Sequence, residues 1–247
     1  MEEGQSGRVV ARFGRLLRIV LPGVREVHAQ VAAYARAWEE ANGGAVGGEG
    51  DLWAVLGDST AQGIGAPSFD AGYVGQLRRL LDEQSPPPWR ILNLSRSGAR
   101  AGDVLNAQLP KLASLDEIPR LVTCAIGAND LLRTPVNRLE EEMRLIMARL
   151  PRGAMIATLP QGLRPARATV VNEIIRSEAP RKGLVVADVW AHTGPPWRGK
   201  LAADGFHPGF TGYTDWASAF AEALPDTIGG SDDGDGSARH PGSESGW

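Results

Sequence analysis

The chain has 247 residues, 43% of them hydrophobic, enough to bury the core of one medium-sized domain with extensions. Its formal charge of -3 gives no electrostatic reason to bind nucleic acid, and its single cysteine, Cys124, excludes an internal disulfide. No stretch approaches the roughly twenty apolar residues that span a bilayer. The N-terminus, with Glu2, Glu3 and a short apolar run broken by Arg18, does not read as a signal peptide, so cytoplasmic residence is the expectation.

Residues 1–50 read as a helical extension. Val9, Val10, Phe13, Leu16, Leu17 and Val20 share one helical face, with Arg8, Arg12, Arg15 and Arg18 interspersed. This basic amphipathic helix, residues 8–20, suits docking on the protein's own surface or a subunit partner, or peripheral contact with an anionic membrane. After Pro22-Gly23, the three-four spacing of Val24, Val27, Val31, Tyr34 and Trp38 predicts a second helix lying against the core, with His28 in it. Gly43-Gly44 and Gly47-Gly48 read as a flexible joint.

From residue 51 strand-like and helix-like segments alternate, which predicts an α/β fold with a parallel sheet covered on both faces. Strands are expected near 51–57, 89–95, 120–126, 153–159 and 183–189. Between the third and fourth, Thr134 and Pro135 suit the start of a helix whose buried stripe is Val136, Leu139, Met143, Ile146 and Leu150. A closing helix near 210–223 carries Tyr213, Trp216 and Phe220 as core residues. The domain proper is thus read as 51–225, and the Gly-, Ser- and Asp-rich stretch 226–247 as a disordered tail.

The run Leu52-Trp53-Ala54-Val55-Leu56-Gly57-Asp58-Ser59 ends in a small polar turn, where an α/β sheet presents a nucleophile. A serine hydroxyl needs a base for its proton and donors for the charge that develops on the substrate. Of His28, His192, His207 and His240, only His207 has an acid three residues before it, in Asp204-Gly205-Phe206-His207-Pro208. That spacing lets a carboxylate reach one ring nitrogen while the other faces the serine. His192 reads as a loop residue and His240 as part of the tail. Two further apolar runs end near candidate donors: Gly98, whose backbone N–H is offered where a Cβ would obstruct a substrate, and Asn129, whose side-chain amide is neutral at every pH. Asp58 and Asp130 read as turn-forming residues, and Cys124 as filler in a buried strand.

Gly57-Asp58-Ser59, Gly98, Gly127-x-Asn129-Asp130 and Asp204-x-x-His207, in that order, resemble the four sequence blocks of the SGNH (GDSL) hydrolase superfamily across roughly residues 51 to 223. Thr60 departs from the leucine of the GDSL name. The resemblance implies a three-layer α/β/α sandwich, flavodoxin-like, with strand order 2-1-3-4-5. It also implies Ser59 as nucleophile, His207 as base and Asp204 as its orienter, with an oxyanion hole from the Ser59 and Gly98 N–H groups and the Asn129 side chain.

The expected function is hydrolysis of a small-molecule carboxylic ester, esterase- or lipase-like, through an acyl-enzyme, with no metal or cofactor. Acyl transfer or carbohydrate deacetylation at the same serine is the alternative, and a non-catalytic scaffold or membrane-surface protein the second. A phosphate-cradling loop lacks its Gly-Lys-Ser/Thr ending, an Asp204–His207 metal site lacks further ligands at recognisable spacing, and Gly-x-Ser-x-Gly is absent. Trp197, Arg198, Leu131, Leu132 and Arg133 are candidate pocket-lining residues.

Overall fold

The structure, a computed structural model, describes residues 22–84, 88–225 and 228. Five short strands, β1 (Leu52–Gly57), β2 (Arg90–Asn93), β3 (Leu121–Ala125), β4 (Met155–Ala157) and β5 (Val185–Ala187), form one parallel sheet in the order β2-β1-β3-β4-β5. Every residue of β1 and β3 is buried, as expected of central strands covered on both faces. Pairing of Val55 with Asn93 and of Gly57 with Ala125 brings the carboxyl ends of the first three strands to a common rim, the usual place for a ligand in an open α/β sheet.

Alternation along β1 divides the core into two layers. Ala54 and Leu56 join Val122, Cys124 and Ile156 beneath an irregular helix, α3 (101–113), and beneath α5 (Val136–Arg149) and α6 (Pro165–Glu178). Trp53 and Val55 join Leu121 and Met155 against α2 (Tyr73–Gln84) and α8 (Phe210–Glu222), where Tyr73 stacks on Phe220 with ring centroids 5.1 Å apart. Two short helices, α4 (Asp130–Arg133) and α7 (Val189–His192), follow β3 and β5. Leu139, Met143, Ile146 and Leu150 are buried as the stripe predicts, and Tyr213, Trp216 and Phe220 are core residues. Burial of Cys124 pushes its thiol up to about 12, as suits a filler.

The extension contributes α1 (Pro22–Ala45), along which Val27 and Trp38 are buried and His28 is exposed. Three local expectations are corrected. Gly43-Gly44 are not a joint but lie in the last turns of α1, where Asn42 is fastened to Asn93 and Ala45 is buried. Thr134 does not cap α5, because its hydroxyl donates to Asp130 Oδ1 at 2.6 Å and ends α4 instead. His192 is not in a loop but closes α7, its Nε2 2.9 Å from Glu222. Ile228 is buried against the α2–α8 layer. His240, the rest of the expected tail and the basic segment 8–20 lie outside the described residues. No helix among the described residues is long and apolar enough to cross a membrane.

Candidate active site

Ser59 stands just past the end of β1. Gly57, at φ +154, leaves the sheet so close to β3 that a Cβ would lie 2.5 Å from the Ala125 carbonyl oxygen. Asp58 then folds the turn: its Oδ1 accepts from the N–H and the hydroxyl of Thr60, both at 2.9 Å. Burial pushes the Asp58 carboxyl above its ordinary range, opposed by the two Thr60 bonds.

The segment carrying His207 is pinned on both sides. Ala202 N donates to the His207 carbonyl at 2.8 Å and Gly209 N to that of Lys200 at 2.8 Å, making a small hairpin around the imidazole. Asp204 Oδ2 lies 2.6 Å from His207 Nδ1, and its Oδ1 accepts from the Phe206 and His207 N–H groups at 2.9 and 3.0 Å. Burial raises the Asp204 carboxyl, but the hydrogen bonds from the His207 ring and these two N–H groups outweigh it, so Asp204 titrates below its ordinary value. His207 Nε2 is 3.1 Å from Ser59 Oγ, across 148 residues of sequence. Ser59, His207 and Asp204 are therefore one continuous hydrogen-bonded chain.

Asn129 lines the same cleft as Ser59 and His207. Its Nδ2 donates to Ala99 O at 3.0 Å and, in a longer contact, to Asp58 Oδ2 at 3.3 Å. Asp130 supports both neighbouring turns, with Oδ2 accepting from Ala101 N at 2.9 Å. Gly98 occupies the third position of the Arg96–Ala99 turn, closed by Ala99 N on Arg96 O at 3.0 Å. Its φ of +78 favours glycine, while beyond its chain neighbours nothing lies within 4 Å of where a Cβ would stand. The preference for glycine thus comes from backbone conformation.

Beside Ser59 opens a cleft of about 290 Å³, walled by Leu163, Trp197, Leu201, Phe206 and Trp216. Its polar members include Gln161 and the ion pair Lys200–Asp215, at 2.7 Å. Of the residues expected to line a pocket, Trp197 does so, resting against Gly162. Arg198, Leu131, Leu132 and Arg133 do not line this cleft; Leu131 is fully buried in the core. Among the described residues, no group of three or more His, Cys, Asp or Glu side chains could hold a metal ion.

The family model described as GDSL-like Lipase/Acylhydrolase matches residues 55–214, well over half of the chain. The chain belongs to this family. As a GDSL-like hydrolase it is an ester-hydrolysing enzyme. Its fold is shared with a variant of an acetyl xylan esterase from Geobacillus stearothermophilus, at TM-score 0.60 and 21% identity over 72% of this chain and 96% of the other. TesA follows at TM-score 0.59 and 22% identity, with 72% and 99% covered. The lipase Lip_vut3 from a goat rumen metagenome gives 0.58 and 17%, with 70% and 97% covered. No curated relative matches the sequence.

In this GDSL-like hydrolase several buried amides around Ser59 are not signalled by the motifs. Gln108 Oε1 accepts from Gly57 N and its Nε2 donates to Gly57 O, both at 2.8 Å. Gln62 bonds to Ser95 and Ser97, and Asn93 to Ala61. A polar residue closing an apolar strand is the only sequence signal at Asn93, and Gln62, five residues past β1, carries none. Gln108 carries none, since it reaches Gly57 from an i→i+5 turn, Val104–Gln108, inside α3.

Proposed function

We propose that the protein hydrolyses a small-molecule carboxylic ester through an acyl-enzyme on Ser59. The observation that carries this reading is the Ser59–His207–Asp204 chain, with links of 3.1 and 2.6 Å. Ionised Asp204 accepts the Nδ1 hydrogen and leaves Nε2 free to take the Ser59 proton as Oγ attacks the carbonyl. The developing oxyanion is received by the Ser59 and Gly98 N–H groups and by Asn129, whose longer contact to Asp58 is the one exchanged. His207 returns its proton to the departing alkoxide, and the alcohol leaves. Water, deprotonated by the same imidazole, then attacks the acyl-enzyme, and the carboxylic acid is released as Ser59 regains a proton.

The apolar cleft supports an acyl group as the moiety beside Ser59. At about 290 Å³ it stands at the small end of ligand clefts, roughly 300–1,000 Å³, which favours short acyl chains. Acyl transfer and sugar deacetylation use the same serine chemistry with a different acceptor or alcohol. A p-nitrophenyl ester series from acetate to long chains, run on wild type and Ser59→Ala with fluorophosphonate labelling alongside, tests the proposal. Turnover and labelling are expected to vanish in Ser59→Ala and to peak at short chains in wild type. Labelling that persists in Ser59→Ala would show that another residue is the nucleophile.

A further inference from the structure

Gly98 belongs to a four-residue turn, and the central peptide of such a turn has two opposed orientations, those of types I and II. The N–H proposed to receive the oxyanion is part of that central peptide, so a flip would point it away. Its φ of +78 is the type II value, yet beyond its chain neighbours nothing packs within 4 Å of the position where a Cβ would stand. Ser97, one residue earlier, is tethered twice. Gln62 Oε1 accepts from Ser97 N at 3.1 Å and from Ser97 Oγ at 2.6 Å, while Gln62 Nε2 donates to Ser95 O at 3.1 Å. Gln62 lies three residues after Ser59 and is 5% exposed. One buried amide therefore joins the nucleophile turn to the turn bearing Gly98.

Gln62 is itself held by α1, which lies outside the family-matched segment 55–214. Trp38 Nε1 donates to Gln62 O at 3.2 Å. Gln30 accepts from Gly65 N at 2.7 Å and donates to Ala66 O, which also accepts from Tyr34 OH at 2.8 Å. Asn42 exchanges two bonds with the Asn93 backbone, and Asn93 Nδ2 reaches Ala61 O at 2.8 Å.

We propose that Gln62, braced by α1, is a positioning residue for the oxyanion hole: it keeps the Ser97–Gly98 peptide turned so that the Gly98 N–H serves the carbonyl attacked by Ser59. This rests on the assignment of Gly98 as a donor given above. Gln62 touches no substrate and acts only through Ser97. Loss of its amide frees the turn and misplaces one of three donors, so the penalty falls on the transition state.

The test uses the full chain with Gln62→Met, which keeps side-chain bulk and removes all three amide bonds. On a short p-nitrophenyl ester, kcat is expected to fall about 10- to 100-fold with KM within about twofold of wild type. Affinity for an alkylboronic acid, which forms a tetrahedral adduct on the serine, falls in parallel, and the pH profile keeps its limbs. A purely structural role would lower the thermal midpoint and leave kcat and boronate affinity unmoved in the folded protein. Gln62→Glu, which retains the acceptor for Ser97 but sets an oxygen in place of the donor to Ser95 O, should recover part of the lost kcat. A folded Gln62→Met with wild-type kcat overturns the proposal, as does a kcat loss with unchanged boronate affinity. If Gln62→Met fails to fold, Trp38→Phe takes its place; it removes the bond to Gln62 O together with part of the buried ring that meets Phe69 edge-on, and wild-type kcat in it is the overturning result. Ser59→Ala run in parallel separates the two readings: wild-type turnover that does not depend on Ser59 overturns the assigned nucleophile and this inference together, whereas Ser59-dependent turnover indifferent to Gln62 overturns this inference alone.

Discussion

The two walls of the cleft are made of different material. On the β1–β2 side, the turns at 57–66 and 93–98 are held by buried amides, Gln62, Asn93 and Gln108, bonded to main-chain groups. On the opposite side, Leu163, Trp197, Leu201 and Phe206 project apolar surface, with Leu201 37% and Phe206 46% exposed. An oxyanion is stabilised only by donors already in place, because each must act without reorganising. An alkyl group asks for volume and dryness, which side chains on loops supply with less exact placement. Chemistry and selectivity should therefore separate across the cleft.

Asn129→Ala should break that separation most forcefully. Removing one oxyanion-hole donor, the role proposed for Asn129, costs on the order of 10²–10³ in turnover. Single-turnover acylation should slow by that factor while circular dichroism and KM change little. On the apolar wall, Trp197→Ala should raise KM for short esters about 5- to 30-fold, the equivalent of roughly 1–2 kcal/mol of uniform binding, and move the chain-length optimum upward with kcat nearly preserved. A kcat loss matching that of Asn129→Ala would show that the walls are not independent.

The smallest effect is expected in acid. Asp204 titrates below its unfolded value of 3.8, so its contribution to stability is complete above that pH and is lost as pH falls through the lower folded value. Asp58 titrates above 3.8, so its contribution is complete below 3.8 and is lost as pH rises through the raised folded value. Urea unfolding midpoints between about pH 2 and 6 should show a smaller acid loss in Asp204→Asn than in wild type, with the Asp58 trend unchanged.

The parts readable in the sequence are those encoded locally. β1 announces itself as an unbroken apolar run because both of its faces are covered, and the strand order follows from the family resemblance that its final turn carries. The Asp204–His207 pair is identifiable because its two members are three residues apart and bond within the same loop. The amide braces are not, because each acts on a main-chain group distant in sequence; Gln108 and Gly57 are 51 residues apart. Thr134 misleads for a related reason, since capping chemistry nominates it for the helix that follows, whereas Asp130 offers an acceptor in the helix before. Gly43-Gly44 resemble a break because glycine weakens isolated helices, but Asn42, bonded to β2, holds the last turns of α1 in register.

At the tip of β1, the strand outruns its neighbour: β2 pairs only as far as Val55 with Asn93. Gly57 meets the carboxamide of Gln108, which offers one acceptor and one donor in the sense a further strand would. A side chain from a helix thus counterfeits a single residue of sheet. The backbone leading to the serine is anchored on both sides at Gly57, by its pairing with Ala125 of β3 on one and by Gln108, beside the Arg96 N–H at 3.3 Å, on the other, although β2 itself has already ended.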